Sequence, residues 1–159
     1  MQIRAVPYDH PDVVDMTATV QRFYIGLYGG PDESPVDPTE FLPPDGAFFV
    51  AYDGEVPVAM GGWRFLTPGD QGVTGQRPVE IKRMYVAEPA RGRGVARALL
   101  AHLEETAAAA GADWVQLETG RVQVAAVALY RSSGYEDAEK FGHYADEDGQ
   151  VSLRKCLQA

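Results

Sequence analysis

The sequence predicts one mixed α/β domain, in which a central sheet carries helices on both faces. Strand-like and helix-like segments alternate along the chain, which is typical of a layered α/β arrangement. The chain has 159 residues and 45% of them are hydrophobic, which suits one compact core. No repeat, low-complexity tract or second domain is evident. We therefore expect residues 1–159 to form a single domain.

The first half of the chain is expected to hold a strand, a helix and a hairpin. A strand at 2–6 leads into a helix at 11–25, for which Asp9 and His10 are the candidate N-caps. Residues 26–46 contain five prolines and four glycines, too many for a long helix, although 38–42 can form one turn. Strands at 47–52 and 56–66 are joined by Asp53-Gly54, a strong hairpin signal.

The second half is expected to hold the central strand and two helices. The stretch 79–86, rich in β-branched and aromatic residues, predicts a strand, and an apolar arc over 95–110 predicts a helix that Gly111 ends. A short strand at 114–119, a helix that ends at Gly134 and strands at 135–141 and 151–157 complete the order.

The run Arg91-Gly92-Arg93-Gly94-Val95-Ala96, between the central strand and the second helix, predicts an anion site. A glycine-rich turn lets the backbone approach a phosphate, and the first N–H groups of the helix then point at it. No Lys-Ser/Thr pair follows the last glycine, and the third glycine of a dinucleotide fingerprint is missing. Taken alone, the run is also compatible with a basic, solvated turn.

A second group of residues supports a ligand-binding interpretation. Gln123 and Tyr130 are seven positions apart, so they share one face of the third helix, with Ala126 between them. Two polar side chains are therefore expected to project from one face of an otherwise apolar helix. Tyr135, which follows the cap residue Gly134, is placed for the hydrophobic contact that accompanies such a cap.

Both groups resemble motifs of the GNAT family of acyl-CoA-dependent N-acyltransferases. Arg91-x-x-Gly94-x-Ala96 resembles the family's Gln/Arg-x-x-Gly-x-Gly/Ala signature. Gln123-x-x-Ala126-x-x-Leu129-Tyr130 resembles its second motif, in which Asn is more usual than Gln. The resemblance covers residues 46–140. It implies a mostly antiparallel, splayed mixed sheet, acetyl-CoA as co-substrate without a metal, and direct transfer of the acetyl group to a primary amine.

The resemblance also implies roles for individual residues. Glu80 stands at the spacing of the family's catalytic glutamate and is the expected base, with Glu118 in reserve; Tyr130 is the expected acid. The carbonyl oxygen would be held by a backbone N–H at a bulge near Tyr85-Val86. Alternatively, Glu80 forms an ion pair with Lys82 or Arg83, and Tyr130 is a structural tyrosine with a satisfied hydroxyl.

Two sets of binding residues follow. Those expected to bind the cofactor are Met84, Tyr85, Val86, Arg91, Gly92, Arg93, Gly94, Val95, Ala96, Gln123, Ala126 and Tyr130. Those expected to contact the acceptor are Tyr28, Trp63, Glu80, Glu118 and Tyr144. Trp63 and the stretch 141–144 are equally compatible with sheet packing.

Net charge and composition limit the classes of partner that the protein is expected to bind. The net charge of −9 disfavours nucleic acid. No 18-residue apolar run and no signal-peptide core occur, so we expect a cytoplasmic protein with no membrane partner. A homodimer is compatible with the sequence. The segment 32–45 is acidic and 77–97 is basic, which suits a cationic acceptor meeting an anionic donor; alternatively, the acidic segment is a solubilising loop.

The remaining reactive side chains indicate no further chemistry. A single cysteine, Cys156, excludes an internal disulfide and a cysteine-based zinc site, and it is expected to be a small hydrophobic residue in the last strand. His10, His102 and His143 are not spaced as metal ligands, and His102 is expected at a core edge. The sequence is also compatible with a nucleophilic pair formed by Cys156 and His143, although direct transfer of the acetyl group to the amine needs no such pair.

Two other classes of protein share these features. One is a non-catalytic acyl-CoA-binding or interaction module that keeps the anion site without the chemistry. The other is a nucleotide-binding regulatory domain, which would bind phosphate without preferring a thioester.

Overall fold

The computed structural model describes residues 1–33, 36–142, 144–145 and 147–157, and in this part of the chain three α-helices flank a seven-stranded sheet. The elements, in chain order, are β1 (Gln2–Ala5), α1 (Pro11–Tyr28), a 3-10 turn (Pro38–Phe41), β2 (Gly46–Asp53), β3 (Val56–Phe65), β4 (Pro78–Val86), a second 3-10 turn (Glu88–Ala90), α2 (Val95–Ala109), β5 (Trp114–Gly120), α3 (Val124–Ser132), β6 (Glu136–Asp137) and β7 (Gln150–Cys156).

The strands lie in the order β1-β2-β3-β4-β5-β7-β6, and each pair is antiparallel except β4 with β5, which is parallel. The mostly antiparallel mixed sheet with helices on both faces is thereby confirmed.

Two elements differ in length from the expectation. Helix α1 begins at the predicted N-cap, where the Nδ1 of His10 accepts a hydrogen bond from the backbone N–H of Asp12 (3.1 Å). It continues through Gly26 and ends at Tyr28, because Gly29 takes the left-handed conformation (φ 81°) and its N–H bonds the carbonyl of Ile25. The strand predicted at 135–141 is reduced to Glu136–Asp137, the edge of the sheet.

The period-two pattern of the strands separates two cores. In β2, Phe48 and Val50 face α1 and the first 3-10 turn, whereas Phe49 and Ala51 face α2 on the opposite side. Helix α3 packs on the α2 side through Tyr130. Strands β2 to β5 are thus largely buried on both faces, and polar side chains inside the sheet need a specific partner.

Strands β4 and β5 form a fork. They pair over only three positions, from Pro78 with Trp114 to Glu80 with Gln116, and then separate. Opposite β3, the residues Arg83 and Met84 together face Gly61, which is a β-bulge. The bulge lies just before Tyr85-Val86, where it was expected. It reverses the alternation of β4, so Tyr85 joins the α1-side core while Met84 joins the α2 side.

Candidate active site

An apolar groove opens where β4 leaves β5. Its volume is about 540 Å³, and its walls come from the second half of α1, the end of β4, the start of α2 and one face of α3. All residues expected to bind the cofactor line this groove except Arg93. Arg93 instead forms an exposed ion pair with Asp53 (3.2 Å), so its side chain does not belong to the groove.

The start of α2 presents open backbone donors to the groove. Gly94 is the N-cap residue in the left-handed conformation (φ 78°), and no side chain caps the first turn. The first N–H groups of a helix have no partner within it, so here they are free to bind an anion. Arg91 stays beside this turn because its Nε donates to the carbonyl of Val86 (3.1 Å).

Tyr130 lines the groove but is almost fully buried, with 7% of its surface exposed. Its hydroxyl donates to the Sδ of Met84 (3.5 Å), a weak acceptor. Burial, and secondarily the neighbouring Tyr24, raises the pKa of Tyr130 above the usual range of a phenol. Tyr130 therefore keeps its proton, and its side chain lies at the groove rather than in open solvent.

Gln123 precedes the first residue of α3 and also lines the groove. Its Nε2 donates to the hydroxyl of Tyr28 (2.8 Å), which joins the start of α3 to the end of α1. The structure thus brings Gln123, Ala126 and Tyr130 to one cavity, as the two motifs predicted.

A second cavity, the acidic pocket, adjoins the groove. Its volume is about 440 Å³, and Tyr24 and Gln123 line both cavities. In the described part of the chain, four carboxylates line the pocket: Asp32, Glu33, Glu118 and Glu147. Of the expected acceptor residues, Tyr28, Glu118 and Tyr144 line it.

Trp63, in contrast, lies outside both cavities. It is 4% exposed in the α2-side core, and its Nε1 donates to Thr106 (3.0 Å). Its position in β3 explains this, because neighbouring residues of a strand face opposite sides and Arg64 takes the side of Glu80. Trp63 is a packing residue, and the expectation that it contacts the acceptor is wrong.

Glu80 and Glu118 meet at the base of the fork. Glu80 is paired with Gln116, and Glu118 follows two positions later on β5, so their side chains share one face of the sheet. A Cβ at Gly142 would lie within 4 Å of an oxygen of each carboxylate. Gly142 has φ 77°, so glycine both allows this turn and leaves room for the two acids beneath it.

Glu80 is 4% exposed and forms an ion pair with Arg64 (3.2 Å). The alternative named Lys82 or Arg83 as the partner of Glu80, but the structure pairs Glu80 with Arg64 instead. Arg64 stands directly opposite Glu80 in the β3–β4 register, and its other Nη binds Glu40 (3.1 Å).

Glu118 has a different environment. Burial, and next to it the charge of Glu80, raises the pKa of Glu118 to about 7; a hydrogen bond from Ser152, the charge of Lys82 and the backbone of Phe141 lower it. The Ser152 hydroxyl is 3.2 Å from Oε2. Neighbouring carboxylates whose environments differ in this way are typical of acid–base sites.

The acidic segment is less open than its sequence predicts. Asp32 pairs with Arg83 (2.9 Å), Glu40 pairs with Arg64, and Asp37 caps the first 3-10 turn. Cations of β3 and β4 therefore compensate part of the charge of this segment. Among the described residues, Glu33 and Glu147 are the other acidic groups of this pocket besides the half-buried Glu118.

The other reactive side chains add no site in the described residues. His102 packs edge-on against Phe49 (4.7 Å), and Cys156 is exposed at the end of β7. His143 lies outside the described residues, and with it the pairing of His143 with Cys156. Over the described ranges, no group of three His, Cys, Asp or Glu side chains is arranged to hold a metal ion, and no helix has the length and apolar character needed to cross a membrane.

The comparisons with known proteins agree with this geometry. The family model described as "Acetyltransferase (GNAT) family" matches residues 15–135. The chain is 33% identical over 145 residues to the "IAA acetyltransferase" of Azospirillum brasilense, covering 91% of this chain and 90% of that protein.

Two solved structures share the fold. An acetyltransferase of the GNAT family from Staphylococcus aureus Mu50 superposes with a TM-score of 0.75 at 16% identity, covering 99% of this chain and 100% of that one. An aminoglycoside 6'-N-acetyltransferase complexed with coenzyme A superposes with a TM-score of 0.67 at 16% identity, covering 100% and 98%. The chain belongs to the GNAT family of acetyltransferases and is an acyltransferase.

Proposed function

We propose that the protein transfers the acetyl group of acetyl-CoA to the primary amine of a small, cationic acceptor. The observation that carries this proposal is the meeting of two unlike cavities at Tyr24 and Gln123. One has open helix amides at its end and an apolar wall, which suits a long anionic thioester. The other is lined by carboxylates, which suits an ammonium group.

On the donor side, the pyrophosphate of acetyl-CoA rests on the amides that follow Gly94, and the acyl end reaches the β4 bulge beside Met84. The amine nitrogen attacks the thioester carbonyl, the C–N bond forms and the C–S bond breaks. Tyr130 gives its proton to the departing thiolate. In the structure its hydroxyl donates to the Met84 sulfur, and a thiolate is a stronger hydrogen-bond acceptor than this thioether.

On the acceptor side, the ammonium proton goes to the carboxylate pair at the fork. Within the pair we assign the proton to Glu118 rather than to Glu80, the expected base. A base works best when its pKa lies near the operating pH, and Glu118 meets that condition. Glu80 already accepts hydrogen bonds from Arg64, and its charge helps to raise the pKa of Glu118.

The pH dependence tests this assignment. Below pH 7 Glu118 is protonated and cannot accept a proton, so kcat/KM for the acceptor should rise with pH through about 7. Glu118→Gln should remove this rise, the acidic limb of the pH profile, and should lower kcat by about 100-fold, a typical contribution of a general base. A pH series of kcat/KM on the purified variants measures both effects.

Glu80→Gln is the matched comparison. Removing the neighbouring charge should lower the pKa of Glu118, so the limb should move to lower pH but persist. The limb should also stay in place when the acceptor is exchanged for an amine of different pKa. A Glu118→Gln variant that keeps the limb would return the role of base to Glu80.

The charge of the acidic pocket gives a second prediction. Neutralising Glu33 and Glu147 together should raise the KM of a cationic acceptor at low salt and leave the KM of acetyl-CoA unchanged, because both carboxylates line the pocket and neither lines the groove. The effect should fade as salt rises, since the Debye length falls to about 3 Å at 1 M.

A variant with the same charge change elsewhere separates local from global effects. Glu105 and Glu139 are exposed and line neither cavity, so Glu105→Gln with Glu139→Gln should leave acceptor KM at its wild-type value. Equal KM values for the two double variants across the salt series would leave the acidic pocket without a role in steering.

Binding calorimetry tests the class of protein. A transferase of this kind should bind acetyl-CoA and CoA and should bind ATP and NAD much more weakly, because the groove is long and apolar beyond the phosphate site. Equal affinity for ATP would favour a nucleotide-binding regulatory domain. Tight binding of acetyl-CoA without turnover would favour a non-catalytic binding module.

A further inference from the structure

Arg83 has a backbone conformation that its residue type disfavours. Its φ is 59°, and among the described residues it is the one non-glycine with positive φ. In this conformation an L residue brings its Cβ against the following carbonyl. Arg83 is also the first residue of the β4 bulge, and contacts outside the strand must therefore hold it there.

The side chain of Arg83 supplies such a contact. It is 7% exposed, and its Nη1 binds Oδ2 of Asp32 at 2.9 Å. Its Nε is buried without a hydrogen-bond partner in the described part of the chain. The link to Asp32 therefore anchors a guanidinium that is largely withdrawn from water.

Asp32 is itself fixed by two other elements. The side chain of Gln21 in α1 forms two hydrogen bonds with the backbone of Asp32. Its Oε1 accepts from the Asp32 N–H (2.7 Å), and its Nε2 donates to the Asp32 carbonyl (3.0 Å). The Tyr144 hydroxyl donates to Oδ1 of Asp32 (2.8 Å). Asp32 and Tyr144 both line the acidic pocket, so Asp32 is a fixed part of that wall.

We infer that Arg83 is a positioning residue whose ion pair with Asp32 ties the wall of the acidic pocket to the β4 bulge, so that acceptor and acetyl group are held in register. The inference rests on the proposed function, in which the acceptor occupies the pocket and the thioester lies at the bulge. It also gives Asp32 a role other than the attraction of the acceptor that its acidic segment predicts.

The physical consequence is a selective loss. Misplacing two reactants by about 1 Å can cost about 100-fold in rate. The open amides at Gly94 do not depend on the pair, so affinity for acetyl-CoA should be retained. The expected signature is a lower kcat with an unchanged dissociation constant for the donor.

The test compares variants that break or remove the pair. Asp32→Asn and Arg83→Gln each leave one group buried without its partner, which can unfold the protein; the double variant removes both charges and avoids this. Asp137→Asn is the control, because Arg131 and Asp137 form an ion pair of the same length, 2.9 Å, on the surface.

Three quantities are measured on each variant. Hydrogen exchange of the 81–87 peptide reports on the bulge without any substrate, and calorimetry with kinetics gives donor affinity and kcat. We expect the double variant to exchange faster at 81–87 and to lose at least tenfold in kcat with donor affinity unchanged. Asp137→Asn should match wild type in all three.

Wild-type exchange at 81–87 in a folded double variant, or kcat unchanged, would overturn the inference. A loss of acetyl-CoA binding would also overturn it, since the pair would then be part of the donor site. If the bulge loosens as expected but wild-type protein acetylates no amine, the proposed function fails while the link between Asp32 and the bulge stands.

Discussion

Tyr130→Phe is expected to lower kcat by about 100-fold or more, with little change in affinity for acetyl-CoA. The substitution removes the hydroxyl that we propose protonates the thiolate, and the ring keeps its edge contact with Tyr135 (centroids 5.6 Å apart). The lost hydrogen bond is to a sulfur atom, so the fold should tolerate the change. Steady-state kinetics and calorimetry measure the two quantities.

Tyr135→Phe is the matched control for this variant. It also deletes a buried tyrosine hydroxyl, but that hydroxyl donates to Glu104 (2.8 Å) and the residue does not line the groove. Its kcat should equal that of wild type. If Tyr130→Phe retains wild-type kcat, the Tyr130 hydroxyl is structural and the thiolate takes its proton from elsewhere.

Gly94→Glu is expected to weaken acetyl-CoA binding by well over tenfold, measured by calorimetry. A glutamate there places a negative charge at the open amides of α2, where the pyrophosphate is proposed to lie. Apart from its chain neighbours, no described residue has an atom within 4 Å of a Cβ built on Gly94, so the position has room for a Cβ.

Two controls separate charge from backbone strain. Gly94 has φ 78°, so Gly94→Ala carries the strain of a side chain without the charge. Gly69→Glu adds the same residue at another open position with positive φ (88°), far from α2 in sequence. Both should keep most of the affinity. Equal losses in Gly94→Ala and Gly94→Glu would mean that the turn geometry, rather than the anion site, determines binding.

The donor side of the site could be predicted largely from sequence because its motifs are local. Residues 91–96 and 123–130 are short segments whose glycines and helical spacing determine which side chains share a face. The bulge was expected from the family resemblance, and the interrupted alternation at Lys82-Arg83 permits it. The structure adds that Gly61, with no side chain, faces it.

The acceptor side depends on contacts between distant segments and could not be predicted in the same way. Arg64 reaches Glu80 only through the β3–β4 register, and Gly142 covers the two acids through a turn far along the chain. Trp63 and Arg64 follow each other on β3, so the period of two places their side chains on opposite faces of the sheet. Arg64 lies on the face of Glu80, and Trp63 therefore packs on the α2 side.

Release of CoA thiol from acetyl-CoA, followed across a panel of primary amines, tests the central claim most directly. Acetylated product should be measured by mass spectrometry in the same reactions. The account predicts thiol release that requires an amine, matches the acetylated amine mole for mole, and is fastest with cationic acceptors. Tight acetyl-CoA binding with no amine-dependent thiol release across the panel would contradict it.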